Sequence, residues 1–132
     1  MKRHPLSLFE PGEFTLNSGI TTDWRINAEL LITNDIRVCA KLLASILPPY
    51  DAVEGVPSGG TLLADELRAF IIPGAKRLVI ADDVWTTGGS WNKICDGREA
   101  FGAIIFNRGG PLPDNIKVLW QLAPKLTKGQ LL

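Results

Sequence analysis

The chain has 132 residues, a length that fits one domain, and 45% of them are hydrophobic, which is enough to form a core without disulfides or metals. Its 14 basic and 14 acidic residues cancel, so no overall field favours nucleic acid or a membrane surface as a partner. We therefore expect a single domain spanning 1–132, with no second domain, in which any binding of a charged ligand depends on local features.

The cysteines and the N-terminal sequence predict the cellular compartment. Cys39 and Cys95 lie in predicted helices and lack the paired spacing of a metal site. The opening residues Met1–Pro5 lack the apolar stretch of a secretory leader, and no segment is long enough to span a bilayer. These features predict a cytoplasmic protein.

Helical and strand patterns alternate from residue 33 onward. Hydrophobic periodicity predicts helices over 33–47, 62–70 and about 91–99, the first capped by Thr33 or Asn34. Continuous apolar runs predict strands at 52–56, 77–81, 101–106 and 116–121. This alternation is typical of an α/β fold whose parallel sheet is flanked by helices, and ligands bind such sheets at the carboxyl ends of the strands.

The segment Leu78–Ser90 carries the most informative functional pattern. Four apolar residues run directly into Asp82 and Asp83, and a turn of hydroxyls and glycines follows: Thr86, Thr87, Gly88, Gly89 and Ser90. Glycines let backbone N–H groups approach phosphate oxygens, and a helix that starts near Ser90 adds the positive end of its dipole. The two carboxylates would repel an anion unless they contact ribose hydroxyls or a divalent cation that bridges to the ligand. The order therefore predicts a sugar-phosphate site.

A purely structural explanation of this segment stays open. In an ordinary strand–loop–helix connection the Asp caps the helix and the glycines only turn the chain. A Walker loop is a poorer explanation, because no Lys follows the glycines.

The complete order of Leu78–Ser90 resembles the phosphoribosyl-pyrophosphate (PRPP) signature of the type I phosphoribosyltransferases. In that family the acidic pair faces the ribose hydroxyls and the Thr/Gly loop holds the 5-phosphate. The resemblance implies that Asp82 and Asp83 are catalytic. It also implies that the 5-phosphate is bound by Thr86, Thr87, Gly88, Gly89 and Ser90.

Two further segments are similar to motifs of the orotate branch of that family, so the resemblance spans about 14–108. Phe14–Asn27 resembles its base-contacting hairpin, which implies a hairpin over about 8–27, before a core of about 33–122, and base contacts from Ser18 and Gly19. Val53–Thr61 resembles its pyrophosphate loop, which implies pyrophosphate binding by Ser58, Gly59 and Gly60. Taken alone, each segment is equally well explained as a turn.

Two more residues are candidates for contact with the base. Arg108 follows the strand that ends near Asn107, where a similar Arg in the orotate enzymes contacts the base carboxylate. The alternative for Arg108 is a solvated arginine at a strand end. Trp24 follows the hairpin motif and is placed to stack on a base, although a half-buried core position explains it as well.

The chain departs from the orotate pattern in its cations. A further strand and a long mobile lid rich in Lys and Arg normally precede the acidic-pair strand, and here only 71–76 occupy that place. The family also often has Lys where this chain has Asn17 and Gly59. A lid shields the oxocarbenium-like ribose from water, and cations neutralise departing pyrophosphate. The sequence thus predicts a reduced, lidless variant.

Two functional hypotheses follow from the resemblance. The first is an enzyme that transfers phosphoribose from PRPP to a nitrogenous base, orotate or a similar pyrimidine-like base, and releases pyrophosphate. It would use Mg²⁺ held through PRPP, with Asp82 and Asp83 as candidate protein ligands. Because the orotate enzymes are dimers, the resemblance also implies a homodimer. The second is a regulatory module that binds PRPP or a nucleotide with weak or no catalysis, which the missing lid and lysines favour.

Overall fold

The computed structural model describes residues 7–15 and 21–122, which form a parallel sheet and a separate antiparallel hairpin. The hairpin pairs β1 (Phe9–Thr15) with β2 (Thr21–Ile26). The parallel sheet has four strands in the order β3 (Ala52–Gly55), β4 (Leu78–Trp85), β5 (Phe101–Asn107) and β6 (Ile116–Gln121). The predicted α/β architecture with a short N-terminal hairpin is confirmed.

Three helices cover the two faces of this sheet: α1 (Thr33–Ile46), α2 (Thr61–Leu67) and α3 (Gly89–Cys95). Short 3-10 turns occupy Ala28–Leu30, before α1, and Arg68–Phe70, after α2. Side chains alternate across a strand, so Val79 and Ala81 pack in one core cluster with α1 and α2, whereas Ile80 packs in a second cluster with α3. The strands are therefore buried on both faces, as their continuous apolar sequences predict.

Three element boundaries differ from the sequence prediction. Thr33 is already helical, and the N–H of the preceding Ile32 donates to a carboxylate oxygen of Asp35 at 3.1 Å, so the prediction of a Thr33 or Asn34 cap is wrong. Helix α3 ends at Cys95 rather than near 99, because Asp96 and Gly97 adopt positive φ angles of 50° and 74°. Strand β4 continues past Ala81 to Trp85, so the acidic pair lies within the strand.

The connection from α2 to β4 is short. Among the described residues no strand lies between Phe70 and Leu78, which agrees with the predicted reduction of the strand and lid region. The Tyr50 hydroxyl donates to the carbonyl of Leu67 at 2.6 Å, and the N–H of Ile72 donates to the carbonyl of Tyr50 at 2.9 Å. These bonds hold the connection against the core.

The hairpin packs on the carboxyl end of the sheet through aromatic side chains. The ring of Phe9 lies 6.0 Å from that of Trp24 and 6.1 Å from that of Phe106 on β5. The side-chain amide of Asn27 donates to Ser7 and Glu10 at 2.8 and 3.1 Å, which fixes the exit from the hairpin. Within the described residues, no helix has the length and apolar character needed to cross a membrane.

Two adjacent leucines of α2 test the core assignment. Leu63 is fully buried and Leu62 is 57% exposed. We expect Leu63→Ala to lower the free energy of unfolding by about 2–5 kcal/mol, because a buried cavity remains, and Leu62→Ala to change it by only about 0.5 kcal/mol. Urea titration followed by circular dichroism measures both. Equal losses in the two variants would contradict this packing.

Candidate functional site

A cleft of about 900 Å³ opens at the carboxyl ends of β3 and β4. It brings together most of the residues that the sequence singled out. Those lining it are Ser58, Gly59, Asp82, Asp83, Thr86, Thr87, Gly88, Gly89 and Ser90. Gly60 does not line the cleft; it is buried at the start of α2. Two loops distant in sequence thus share one cleft with the acidic pair.

Asp82 and Asp83 are held by the backbone that follows them. The N–H of Asp83 donates to Asp82 Oδ1 at 2.9 Å, and the N–H of Val84 donates to Asp83 Oδ1 at 2.8 Å. Asp82 is only 8% exposed, whereas Asp83 is half-buried. The pair therefore presents one deeply buried and one more accessible carboxyl group to the cleft.

Burial raises the pKa of Asp82 to about 8, and the hydrogen bond with Asp83 and the negative charge of Asp83 act in the same direction. When no cation is present, two adjacent carboxyl groups are not both ionised easily, because their negative charges repel each other. At neutral pH the Asp82 carboxyl therefore holds a proton in the absence of ligand. A ligand that offers hydroxyl groups or a cation favours the ionised form instead.

Gly59 lies directly against the acidic pair. A Cβ at this position would come within 2.5 Å of both carboxylate oxygens of Asp83. A Lys at this position, as is frequent in the family that the sequence resembles, would require the Asp83 carboxylate to move. A side chain at Gly59 is thus compatible with the cleft only if the Asp83 carboxylate turns away.

The Thr86–Ser90 loop packs against the side chain of Trp85, which packs in turn against Trp91 and fixes the shape of the loop. Gly88 has a φ of 83°, and a Cβ there would lie 2.3 Å from the ring of Trp85, whose ring packs 5.8 Å from that of Trp91. Both the backbone N–H and the side-chain amide of Asn92 donate to the Gly88 carbonyl at 2.8 Å. The loop therefore has a defined shape before any ligand binds.

Trp24 and Arg108 do not line the cleft. The Arg108 guanidinium lies 3.8 Å from the centre of the Trp24 ring and donates to the Trp24 carbonyl at 2.8 Å. Trp24 is 7% exposed and Arg108 only 3%. Ser18 and Gly19, the other predicted base contacts, lie outside the described residues. All four base-binding roles remain predictions.

Sequence reasoning missed one wall of the cleft. The end of β2, the 3-10 turn with the residue that follows it, and the starts of α1 and α2 form it: Ile26, Ala28, Glu29, Leu31, Ile36 and Leu62. Lys93 on α3 also lines the cleft and is its one basic residue among the described residues. No motif marks this wall, because it forms only when the end of β2 folds against the starts of α1 and α2.

The raised pKa of Asp82 predicts how stability depends on pH. In the folded chain Asp82 keeps its proton up to about pH 8, whereas the unfolded chain releases it near the ordinary value of 3.8. The free energy of unfolding should therefore fall as pH rises from about 4 to about 8. Asp82→Asn should flatten this slope and be more stable than the wild type at pH 8.

Urea unfolding at several pH values, with EDTA present, measures this slope. The exposed Asp114 lies outside the cleft, and Asp114→Asn should keep the wild-type slope. An Asp82→Asn variant whose slope equals that of the wild type would show that Asp82 titrates normally.

No family model matches the sequence, and no curated protein matches it. Solved structures do. The orotate phosphoribosyltransferase from Aeropyrum pernix matches 76% of this chain and 76% of its own length, with a TM-score of 0.55 and 23% identity. Leishmania donovani UMP synthase matches 76% of this chain with a TM-score of 0.63 and 21% identity, and this match covers 29% of the synthase.

The orotate phosphoribosyltransferase of Francisella tularensis matches 81% of this chain and 69% of its own length, with a TM-score of 0.51 and 20% identity. Sequence identities of 20–23% show a shared fold and do not show a shared activity. The chain therefore has a type I phosphoribosyltransferase fold of the kind found in orotate phosphoribosyltransferases.

Proposed function

We propose that the chain transfers phosphoribose from PRPP to a nitrogenous base and releases pyrophosphate. The observation that supports this most directly is the meeting of the acidic pair with two glycine loops in one cleft at the carboxyl ends of parallel strands. In a sheet of this class ligands bind at that edge. The resemblance to the orotate branch makes pyrimidine-like bases, orotate among them, the first to test.

Each part of the cleft has a role in this proposal. Backbone N–H groups and hydroxyls of Thr86–Ser90 would hold the 5-phosphate, since the loop is already fixed by Trp85 and Asn92. Asp82 and Asp83 would accept hydrogen bonds from the ribose hydroxyls and stabilise positive charge that develops at C1. The backbone of Ser58 and Gly59, which line the cleft, would face the pyrophosphate.

Mg²⁺ fits this arrangement only as a metal shared with the ligand. Among the described residues no cluster of three or more His, Cys, Asp or Glu side chains is arranged to hold a metal. Mg²⁺ commonly takes one or two carboxylates together with substrate phosphates and water, which Asp82, Asp83 and PRPP would supply. When bound, the metal would neutralise the phosphates and orient the leaving group.

A module that binds PRPP or a nucleotide without efficient catalysis is the second candidate. The observation that favours it is the charge of the described cleft lining, where Lys93 is the one basic residue beside three acidic ones. The 71–76 connection supplies no lid. Departing pyrophosphate would then depend mainly on the metal for neutralisation. A homodimer and a cytoplasmic location belong to both candidates as proposals.

Calorimetric titration of PRPP tests the site itself. We expect micromolar binding with Mg²⁺, and at least tenfold weaker binding with EDTA or in the Asp82→Asn/Asp83→Asn double variant, because each change removes the shared metal site. The matched control is Asp65→Asn/Asp114→Asn, two exposed positions away from the cleft. If PRPP binds equally well to the wild type with Mg²⁺, to the wild type with EDTA and to the double variant, Asp82 and Asp83 do not have this role.

The single variant Asp83→Asn separates catalysis from binding. The amide keeps the size of the side chain but removes the charge that stabilises the transition state, so the rate of pyrophosphate release should fall about 10²-fold or more while PRPP affinity changes much less. Single-turnover kinetics with saturating PRPP measure the rate. A wild-type rate in this variant would refute the catalytic assignment, and saturable PRPP binding without pyrophosphate release for any base would support the binding module.

A further inference from the structure

The wall of the cleft formed by the hairpin exit is chemically unlike the rest of it. In the proposed function Thr86–Ser90 holds the phosphate, Asp82 and Asp83 the ribose, and Ser58 and Gly59 the pyrophosphate. The wall left for the base consists mainly of apolar side chains, from Ile26, Leu31, Ile36 and Leu62. Apolar side chains suit the two faces of an aromatic ring. Glu29 is the one ionisable residue among the described residues of this wall.

The charge of the lining opposes an anionic base. In the described lining the carboxyl groups of Glu29 and Asp83, even without that of Asp82, outnumber the single ammonium group of Lys93. Lys93 lies on α3, within one turn of Ser90, and so belongs to the phosphate end of the cleft. Glu29 is itself exposed, so a base carboxylate beside it would meet a like charge that solvent and salt screen only in part at low ionic strength.

The arginine best suited to a base carboxylate is engaged elsewhere. Arg108 is 3% exposed and does not line the cleft. Its guanidinium stacks on the Trp24 ring and donates to the Trp24 carbonyl. In the described residues it joins the hairpin to β5 rather than contributing charge to the cleft.

We propose that the acceptor is an uncharged base that presents an N–H donor to Glu29, and that Glu29 selects against anionic bases such as orotate. This inference rests on the proposed function, because it places a phosphoribosyl group in the cleft. It names Glu29 as a specificity residue that no motif marks. The carboxylate accepts one hydrogen bond from the base and repels a base carboxylate.

Uracil and orotate form the matched pair for the test, since they differ only in the carboxylate at C6. Calorimetry at low ionic strength compares uridine 5′-monophosphate with orotidine 5′-monophosphate, and pyrophosphate release compares the two free bases in the presence of PRPP and Mg²⁺. We expect the uridine nucleotide to bind about tenfold more tightly, from one partly screened like-charge contact. Uracil should also be the better acceptor.

Three variants connect this preference to one side chain. Glu29→Gln should reduce the preference for the uridine nucleotide to about twofold or less, and Glu29→Lys should reverse it, because the base carboxylate then meets a cation. The control is Glu99→Gln, an exposed glutamate outside the cleft, which should keep the wild-type preference. Circular dichroism checks that all three variants fold.

The two readouts separate this inference from the proposed function. If the uridine nucleotide binds more tightly and Glu29→Gln loses this preference, the inference is supported, even when no base releases pyrophosphate. The absence of pyrophosphate release would refute only the proposed transfer reaction. Pyrophosphate release with orotate equal to or better than uracil would support transfer and overturn the inference. Equal binding of both nucleotides, no binding of either, or a preference unchanged in both Glu29 variants would also overturn it.

Discussion

The close approach of the Ser58–Gly60 loop to the middle of β4, at Ala81, is the contact on which the site depends. A Cβ on Gly60 would lie 2.1 Å from the carbonyl oxygen of Ala81, and that same oxygen accepts a hydrogen bond from the N–H of Val56 at 2.8 Å. The next residues along β4 are the acidic pair, so this approach sets Asp83 against Gly59. A bulkier loop would separate the acidic pair from the second glycine loop, and the cleft would lose its shape.

The rest of the chain holds this contact rigid with few residues. Strand β4 contributes alternate side chains to two core clusters, one beneath α1 and α2 and one beneath α3. Trp91 connects α3 directly to β4, because its indole N–H donates to the Ile80 carbonyl at 2.9 Å. The Thr/Gly loop rests on Trp85, which is itself held by Trp91. Such a site has little freedom to reorganise, so its ligand must fit the shape that packing provides.

Sequence patterns predicted the parallel sheet and the meeting of the two glycine loops, because strand order and apolar runs determine which loops share an edge. They do not reach the features that tertiary contacts decide. Whether Arg108 faces the cleft depends on the hairpin, whose Trp24 covers it. The wall around Glu29 is built from segments separate in sequence, and none of them carries a pattern. The cap of α1 has no local signal ahead of the helix, because Asp35, inside the first turn, accepts a hydrogen bond from the N–H of Ile32.

The central position of β4 makes ligand occupancy and global unfolding thermodynamically inseparable. The strand that carries Asp82 and Asp83 is also the one whose Val79, Ile80 and Ala81 are fully buried. The chain cannot unfold while the cleft keeps its shape, so any compound held by that shape shifts the folding equilibrium in proportion to the logarithm of its concentration. The melting temperature of this small domain is therefore a direct report of what the cleft accepts, and mixtures of metabolites can be screened without a label or an assumed reaction.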